Sequence, residues 1–286
     1  MNHAILGPGG IGGLLAAALA RAGHPVTLIV RPGTAAGFPR RIHLQSDLLG
    51  EVEAEVEVVE RLAEPVDVLW VAVKAGQLET ALDQAPAELV GAVVPLLNGV
   101  DHLAPLRRTY GAERVVVGTI RVEAEKLEPG RYRQKGPFIA LDLAGRPDIA
   151  EEVAATGIQA RAVEDGEQAL WAKLIMLAPF ALTSTAAQLT LGEIAEQPEW
   201  RDRMVGAMRE VKAVAATRGI ELEEPTGMLN VAARDMRTSM QKDAAAGRPL
   251  ELEHISGPIL RGGREGGVPT PRTEELVALI RARYRA

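Results

Sequence analysis

The 286-residue chain has no cysteine. Disulfides, thiolate nucleophiles and cysteine metal sites are thereby excluded. It has no excess of positive charge either: the formal net charge of -6 offers no global attraction to nucleic acid or to an anionic lipid surface. No segment approaches the uninterrupted apolar length of a membrane span. The first residues do not read as a secretory signal, because their apolar character belongs to a strand and a glycine turn, so the expected location is cytoplasmic. The five histidines, His3, His24, His43, His102 and His254, show no ligand spacing, read as surface or loop residues, and predict no metal. There is no internal repeat and no low-complexity tract. What remains is an ordinary globular composition, 47% hydrophobic and 24% charged, with enough length for two domains.

The most informative segment comes first. Ala4-Ile5-Leu6 runs into Gly7-Pro8-Gly9-Gly10-Ile11-Gly12, a G-x-G-x-x-G between a predicted strand and an Ala/Leu-rich helical run from Leu14 to Ala22. In such a turn Gly7 permits the tight bend, Gly9 lets a pyrophosphate approach the backbone, and Gly12 allows close packing of helix on strand. The unpaired N–H groups and the positive end of the helix then face the phosphates. The second strand, Val26 to Val30, is followed by Arg31 instead of the carboxylate that holds a ribose 2′-hydroxyl in NAD sites. A guanidinium there suits a 2′-phosphate through charge-assisted hydrogen bonds, which points to NADP. The alternative is a solvated arginine opening the Pro32-Gly33 loop.

Near-continuous apolar runs at Val68–Val73, Ala92–Leu97 and Val115–Val117 read as parallel strands covered on both faces. Helical runs at Gln77–Gln84 and His102–Thr109 alternate with them, which predicts a doubly wound sheet. Arg131–Gln134 and Phe138–Leu141, with a turn expected at Lys135-Gly136-Pro137, suggest an antiparallel addition at one sheet edge. A last helix over Asp148–Thr156 and a last strand over Ile158–Val163 complete this half. From Gly166 onward only helical spacing is found, over Gly166–Met176, Glu199–Arg218, Glu251–Leu260 and Thr270–Tyr284. The predicted fold is therefore an α/β Rossmann-type dinucleotide-binding domain, residues 1–164, followed by an all-α substrate and catalytic domain, residues 165–286. A helical domain in that position usually closes a cleft over the nicotinamide.

In folds of this type ligands lie beyond the carboxyl ends of the strands. Lys74, with Gln77 one turn later, follows one strand, and Asn98 ends the next in an Asn-Gly pair that simple turn chemistry also explains. In the helical half Lys173 sits in the apolar stretch Leu170–Leu177, where it either snorkels to the surface or is held for use. Thr238-Ser239-Met240 precedes Glu251, a carboxylate at a helix start that structural reasons alone would account for.

Together these residues resemble the 2-dehydropantoate 2-reductase (ketopantoate reductase) family, NADPH-dependent enzymes of the pantothenate pathway. The resemblance spans nearly the whole chain: the glycine turn, Arg31, Lys74 with Gln77 in Val-Lys-Ala-Gly-Gln, Asn98-Gly99-Val100, Lys173 in Trp-Ala-Lys-Leu, Ser239-Met240, Glu251, and Gly267-Val268-Pro269-Thr270-Pro271 before the last helix. It implies that Gly7, Gly9, Gly10, Ile11, Gly12, Arg31, Lys74, Gln77 and Asn98 bind NADP. It also implies that Lys173 and Glu251 are catalytic, and that Asn98, Lys173, Ser239 and Glu251 hold the substrate. Lys173 would polarise and protonate the substrate carbonyl oxygen as hydride reaches the carbon.

One departure stands out. The family usually places asparagines four and eight residues beyond the lysine, where this chain has Leu177 and Ala181. Losing those partners weakens binding of a polar substrate by roughly 1–3 kcal/mol per unsatisfied group. The expected function is NADPH-dependent reduction of 2-dehydropantoate or a closely related small-molecule 2-oxo acid. The alternatives are a paralogous dehydrogenase of a more apolar 2-oxo or 3-hydroxy acid, and a non-catalytic NADP-sensing regulator. No nucleic-acid or membrane partner is expected, and a homodimer stays open.

Overall fold

A computed structural model describes residues 1–225, 227 and 234–284. The chain forms two compact units, residues 1–97 with 101–169, and residues 98–100 with 170–286.

The first unit begins with β1 (His3–Leu6), α1 (Gly10–Arg21) and β2 (Val26–Ile29). A hairpin follows, β3 (Arg41–Ser46) and β4 (Gly50–Glu55), then the short β5 (Glu57–Val59) and β6 (Val66–Val71). After α2 (Leu78–Leu82) come β7 (Val90–Pro95), α3 (Leu103–Tyr110), β8 (Gly118–Glu128), β9 (Arg131–Ala144), α4 (Pro147–Ala154) and β10 (Gln159–Val163). Five strands make a wholly parallel sheet in the order β5-β2-β1-β6-β7. The chain winds outward from β1 on both sides, which puts the carboxyl end of β1 at a topological switch point. This is the Rossmann-type half of the expected fold.

A second sheet, β10-β9-β3-β4 with β8 on β9, corrects the expectation of an edge addition to the first. Its longest strand, β9, pairs with β8 along one side and with β3 and then β10 along the other. The expected turn at Lys135-Gly136-Pro137 is instead an irregularity inside β9. There Gly136 N–H donates to Asp47 Oδ2 at 2.8 Å, and the pairing with β8 shifts register. Proline lacks the N–H a regular ladder needs, so the break sits where the strand changes partner. Val115–Val117 is also not a strand. A single bridge joins Val115 to Val93, after which Gly118, lying against Val94 and Leu143, starts β8 in the second sheet.

Between the two sheets lies α1, apolar on every side. Leu14, Leu15, Ala16, Ala17, Ala18 and Leu19 are fully buried, in one core with Ile5 and Leu28 of the first sheet and Ile42, Leu44, Tyr132 and Leu141 of the second. A helix apolar all round is stable only when covered all round. The hairpin supplies that cover by strict alternation, with Ile42, Leu44, Val52 and Ala54 inward and Arg41, Glu51, Glu53 and Glu55 outward. At Gly10 and Gly13 the cover is close. A Cβ on Gly10 would lie 2.4 Å from the Ala124 carbonyl oxygen, and one on Gly13 would lie 2.1 Å from the Tyr132 ring.

His3 corrects the view of the histidines as surface or loop residues: it is buried in β1, and His102 is buried before α3. Trp70 Nε1 donates to His3 Nδ1 at 3.1 Å, so the ring proton sits on Nε2, which donates to Glu152 Oε1 at 2.9 Å. His24 Nδ1 and the Met1 amino group reach the same oxygen. His3, His24 and Glu152 bring three ligand-type atoms together. A protonated Nε2 has no lone pair for a metal, however, and the cluster is read as a hydrogen-bonded network.

In the second unit α5 (Gly166–Ala187, begun in the first) runs past the expected stop at Met176, because Phe180, Ala181 and Leu182 go on burying apolar surface beyond Pro179. It ends where Gln188 takes φ +59, a left-handed stop. By length and composition α5 passes for a membrane span, which corrects the expectation that no segment comes near one. Its most apolar stretch is 72% buried inside the protein. There follow α6 (Leu191–Glu196), α7 (Pro198–Ala216), α8 (Ser239–Ala245), α9 (Leu252–Gly266) and α10 (Pro271–Tyr284), around a core that includes Trp171, Leu174, Met204, Met208, Ile255 and Ile280. The buried Glu210 carboxylate of α7 accepts the N–H groups of Arg272 and Thr273 at 2.6 and 2.8 Å, capping α10 from a neighbouring helix.

Two predictions follow from the first unit. Gly13→Ala drives a Cβ into the buried Tyr132 ring and should lower the unfolding free energy by about 1–3 kcal/mol despite alanine's better helix propensity, read from the urea midpoint. Burial holds the pKa of His3 below its usual 6.5, outweighing the Glu152 carboxylate. The unfolded chain therefore binds the proton more readily, and the stabilisation is complete above 6.5 and lost as pH falls below it. Urea titrations at about pH 7.5 and about pH 5.5 should show that loss in the parent chain and a smaller one in His3→Gln.

Candidate functional site

The candidate residues fall into two groups, one in each unit. In the first, the glycine turn leaves the carboxyl end of β1. Gly7 adopts φ +90, and a Cβ there would lie 2.6 Å from Val73 Cγ1, so the bend is both left-handed and pressed against the segment after β6. Gly12 is closed off in the same way, with the Gly7 carbonyl oxygen 2.5 Å and Ile5 Cγ2 2.9 Å from the place of its Cβ. Gly9 differs from both, since nothing lies within 4 Å of its Cβ position.

Gly9 is also the N-cap of α1. It supplies no side-chain acceptor, and the first turn carries no acidic residue. The first backbone bond back to the cap is Gly13 N–H to Gly9 O at 2.8 Å. The N–H groups of Gly10, Ile11 and Gly12 thus sit at a helix start that provides no acceptor of its own, beside open space, at the positive end of the helix. An anionic pyrophosphate fits such a place. Tyr132, whose hydroxyl donates to the Pro8 carbonyl at 3.4 Å, touches this turn from the second sheet. Nothing local in the sequence pointed to it.

Arg31 stands exposed two residues beyond β2. It opens a tight turn in which Thr34 N–H and Thr34 Oγ1 both donate to the Arg31 carbonyl, at 3.1 and 2.6 Å, with Gly33 at φ +80. Pro then Gly at the centre is the pairing such a turn favours. The Pro32-Gly33 loop is therefore an ordered turn from which the Arg31 side chain is exposed. Lys74 and Gln77 are both exposed and bracket a single 3₁₀ turn, closed by Gln77 N–H to Lys74 O at 2.8 Å. The strand before them ends at Val71, two residues earlier than predicted, so Lys74 belongs to the loop beyond the strand. The glycine turn, Arg31 and Lys74 thus issue from the carboxyl ends of three adjacent strands, β1, β2 and β6.

The second group lies in the helical unit, to which residues 98–100 also belong. Asn98 comes after β7, beyond the strand end at Pro95, so it too is a loop residue. Its Nδ2 donates to Glu251 Oε2 at 3.4 Å, which brings together two candidates 153 positions apart. Gly99 makes this approach possible, because a Cβ there would lie 2.4 Å from the His254 carbonyl oxygen. Glu251 is the N-cap of α9 by backbone geometry, yet its carboxylate makes no capping bond. Its carboxylate still lies at the positive end of α9, which favours it, and it also takes the Asn98 side-chain amide.

Lys173 is half-buried on α5, among the buried Leu170, Trp171, Leu174 and Ile175. Of the two positions that depart from the family pattern, Leu177 is half-buried one turn beyond Lys173, whereas Ala181 is completely buried in the helical core. Ser239 is exposed at the first turn of α8, behind the N-cap Thr238, whose Oγ1 accepts the Gln241 N–H at 3.2 Å.

Comparison with known proteins gives one consistent result. Residues 3–143 match the family described as Ketopantoate reductase PanE/ApbA, and residues 165–284 match its C-terminal domain. A 2-dehydropantoate 2-reductase of Caulobacter vibrioides is 32% identical, with 98% of each chain covered. Among solved structures, a PanE/ApbA family ketopantoate reductase from Ralstonia eutropha JMP134 superposes with a TM-score of 0.88 at 26% identity, over 100% of this chain and 99% of that one. A D-mandelate dehydrogenase, solved with NADH and anilino(oxo)acetate, also gives 0.88, over 100% and 99% of the two chains. At 23% identity it shows the shared fold alone.

The open space at Gly9 yields a prediction. Gly9→Ala should leave the urea midpoint unchanged, since its Cβ meets nothing, while weakening nicotinamide dinucleotide binding about tenfold or more, measured by calorimetric titration.

Proposed function

The chain belongs to the ketopantoate reductase family, and on that premise we propose that it is a cytoplasmic enzyme using NADPH to reduce 2-dehydropantoate to pantoate. The observation that carries the substrate half of this reading is the Asn98–Glu251 contact. It joins a strand-end loop to the start of α9, so two groups suited to a hydroxylated oxo acid act from one place.

NADPH, when bound, supplies the hydride. Gly10, Ile11 and Gly12 would hold its pyrophosphate by backbone N–H groups, with Gly9 leaving room for it, and Arg31 would meet the 2′-phosphate, with Lys74, Gln77 and Asn98 as further contacts. In the helical unit the Lys173 ammonium polarises the substrate carbonyl and gives a proton to its oxygen. Alkoxide charge develops only in the transition state, so a fixed cation there lowers the barrier more than it tightens substrate binding. Glu251, with Asn98 on its carboxylate, and Ser239 bind and orient the substrate.

A second reading rests on Leu177 and Ala181. Position 181 is closed by core packing, and position 177 presents an apolar side chain one turn from Lys173. This favours a substrate with less hydrogen-bonding demand, a more apolar 2-oxo acid. A regulator that senses NADP without catalysis would need neither Lys173 nor the Asn98–Glu251 pair.

A panel of 2-oxo acids, ketopantoate beside apolar branched analogues, assayed by NADPH oxidation separates these readings. The expected outcome is turnover of ketopantoate, lowered about 10²- to 10⁴-fold in Lys173→Ala while NADPH binding persists. Preference for the apolar analogues would establish the second reading. Absence of turnover with every acid would leave the sensor, and near-normal turnover in Lys173→Ala would remove lysine from the mechanism.

A further inference from the structure

The turn that opens with Arg31 is held from outside by a residue not yet given a role. Glu60 directly follows β5, the strand paired with β2, and its Oε1 accepts the Ala35 N–H at 3.0 Å. The backbone N–H groups of Gly33, Ala35 and Thr34 together hold the Glu60 carboxyl below the usual carboxylate range.

The base of the loop is fixed by the same neighbourhood. Gln84 Nε2 donates to the carbonyls of Val30 and Glu60, at 2.5 and 2.6 Å, tying the residue before Arg31 to the residue that grips the loop. Val30 N–H donates to Val59 O at 2.9 Å, and Thr34 closes the turn internally. The turn is thus closed internally by Thr34 and anchored from outside by Glu60, Gln84 and Val59, while the Arg31 side chain itself is exposed.

We propose that Glu60 is a positioning residue for nucleotide choice: by holding the Ala35 N–H it keeps the loop in the one conformation that presents Arg31 to an adenosine 2′-phosphate. This rests on the NADP reading of Arg31. Removing the grip frees the loop, and the guanidinium must then be ordered at the expense of binding. NADH, which lacks the 2′-phosphate, does not depend on that ordering.

The test compares the parent chain with Glu60→Gln, Glu60→Ala and Arg31→Ala. It measures dissociation constants for NADPH and NADH by calorimetry, and amide hydrogen exchange over residues 33–35. Both Glu60 variants should exchange Ala35 N–H faster. Glu60→Ala should weaken NADPH by about tenfold while changing NADH by less than about twofold, and Glu60→Gln, which keeps an oxygen, should lie between. Unchanged exchange at Ala35 overturns the proposal. So does an unaltered NADPH-to-NADH ratio where Arg31→Ala lowers it, since the phosphate reading then stands and only the role of Glu60 falls. Tighter NADPH binding in Glu60→Gln also overturns it, by showing that the carboxylate opposes the phosphate. If Arg31→Ala leaves the ratio unchanged, the NADP reading fails and the proposal falls with it. Should Glu60→Ala not fold, Glu60→Gln carries the same comparison.

Discussion

The rest of the structure depends on the burial of one helix. α1 is apolar all round, so it needs cover on every side, and the chain provides it by building a second sheet against the face that the parallel sheet leaves open. Glycines at positions 10 and 13 let the backbone of β8 and the ring of Tyr132 come within van der Waals reach of the helix axis. A side chain at either place would force them apart. The helix is thereby fixed in position, and its N-terminal amides are left beside open space at Gly9 with no side-chain cap. Donors fixed in this way suit the proposed binding of an anionic pyrophosphate, because the protein rather than the ligand has borne the cost of ordering them.

The helical unit follows a different logic. Its core orders α5, α7, α9 and α10 by ordinary apolar packing, and the polar groups that stand apart from that packing are the informative ones. Glu210 is buried and explained, since it caps α10. Glu251 sits at a helix start without capping it and meets Asn98 instead. Two carboxylates near helix starts thus have different partners, set by where their oxygens point.

Much of this was legible in the sequence, and what was missed has physical reasons. Local signals identified the parallel strands β1, β2, β6 and β7, the glycine turn and the helical second half, because each depends on near neighbours in the chain. The β3–β4 hairpin carries a period-two signal, since Ile42, Leu44, Val52 and Ala54 alternate with polar and charged residues, but it lacks the continuous apolar run of a buried parallel strand. The second sheet as a whole was not legible, since β9 serves three partners whose pairing is set by tertiary packing. Lys135-Gly136-Pro137 looks like a turn in isolation and is a partner change inside one strand. Glu60 and Gln84 act on Arg31 from 29 and 53 positions away, through the pairing of β5 with β2, and no local pattern announces them. The Asn98–Glu251 contact was anticipated only as separate residues. A resemblance to a family supplied the roles, and folding supplied the meeting.

The central claim is that the uncapped start of α1 receives the pyrophosphate of a nicotinamide dinucleotide. The most direct measurement follows the backbone amide resonances of Gly10, Ile11 and Gly12 by nuclear magnetic resonance during titration with NADP⁺. The account predicts saturable shifts at these amides that adenosine, which lacks phosphate, does not reproduce. Amides that stay unmoved while the nucleotide binds elsewhere would contradict it.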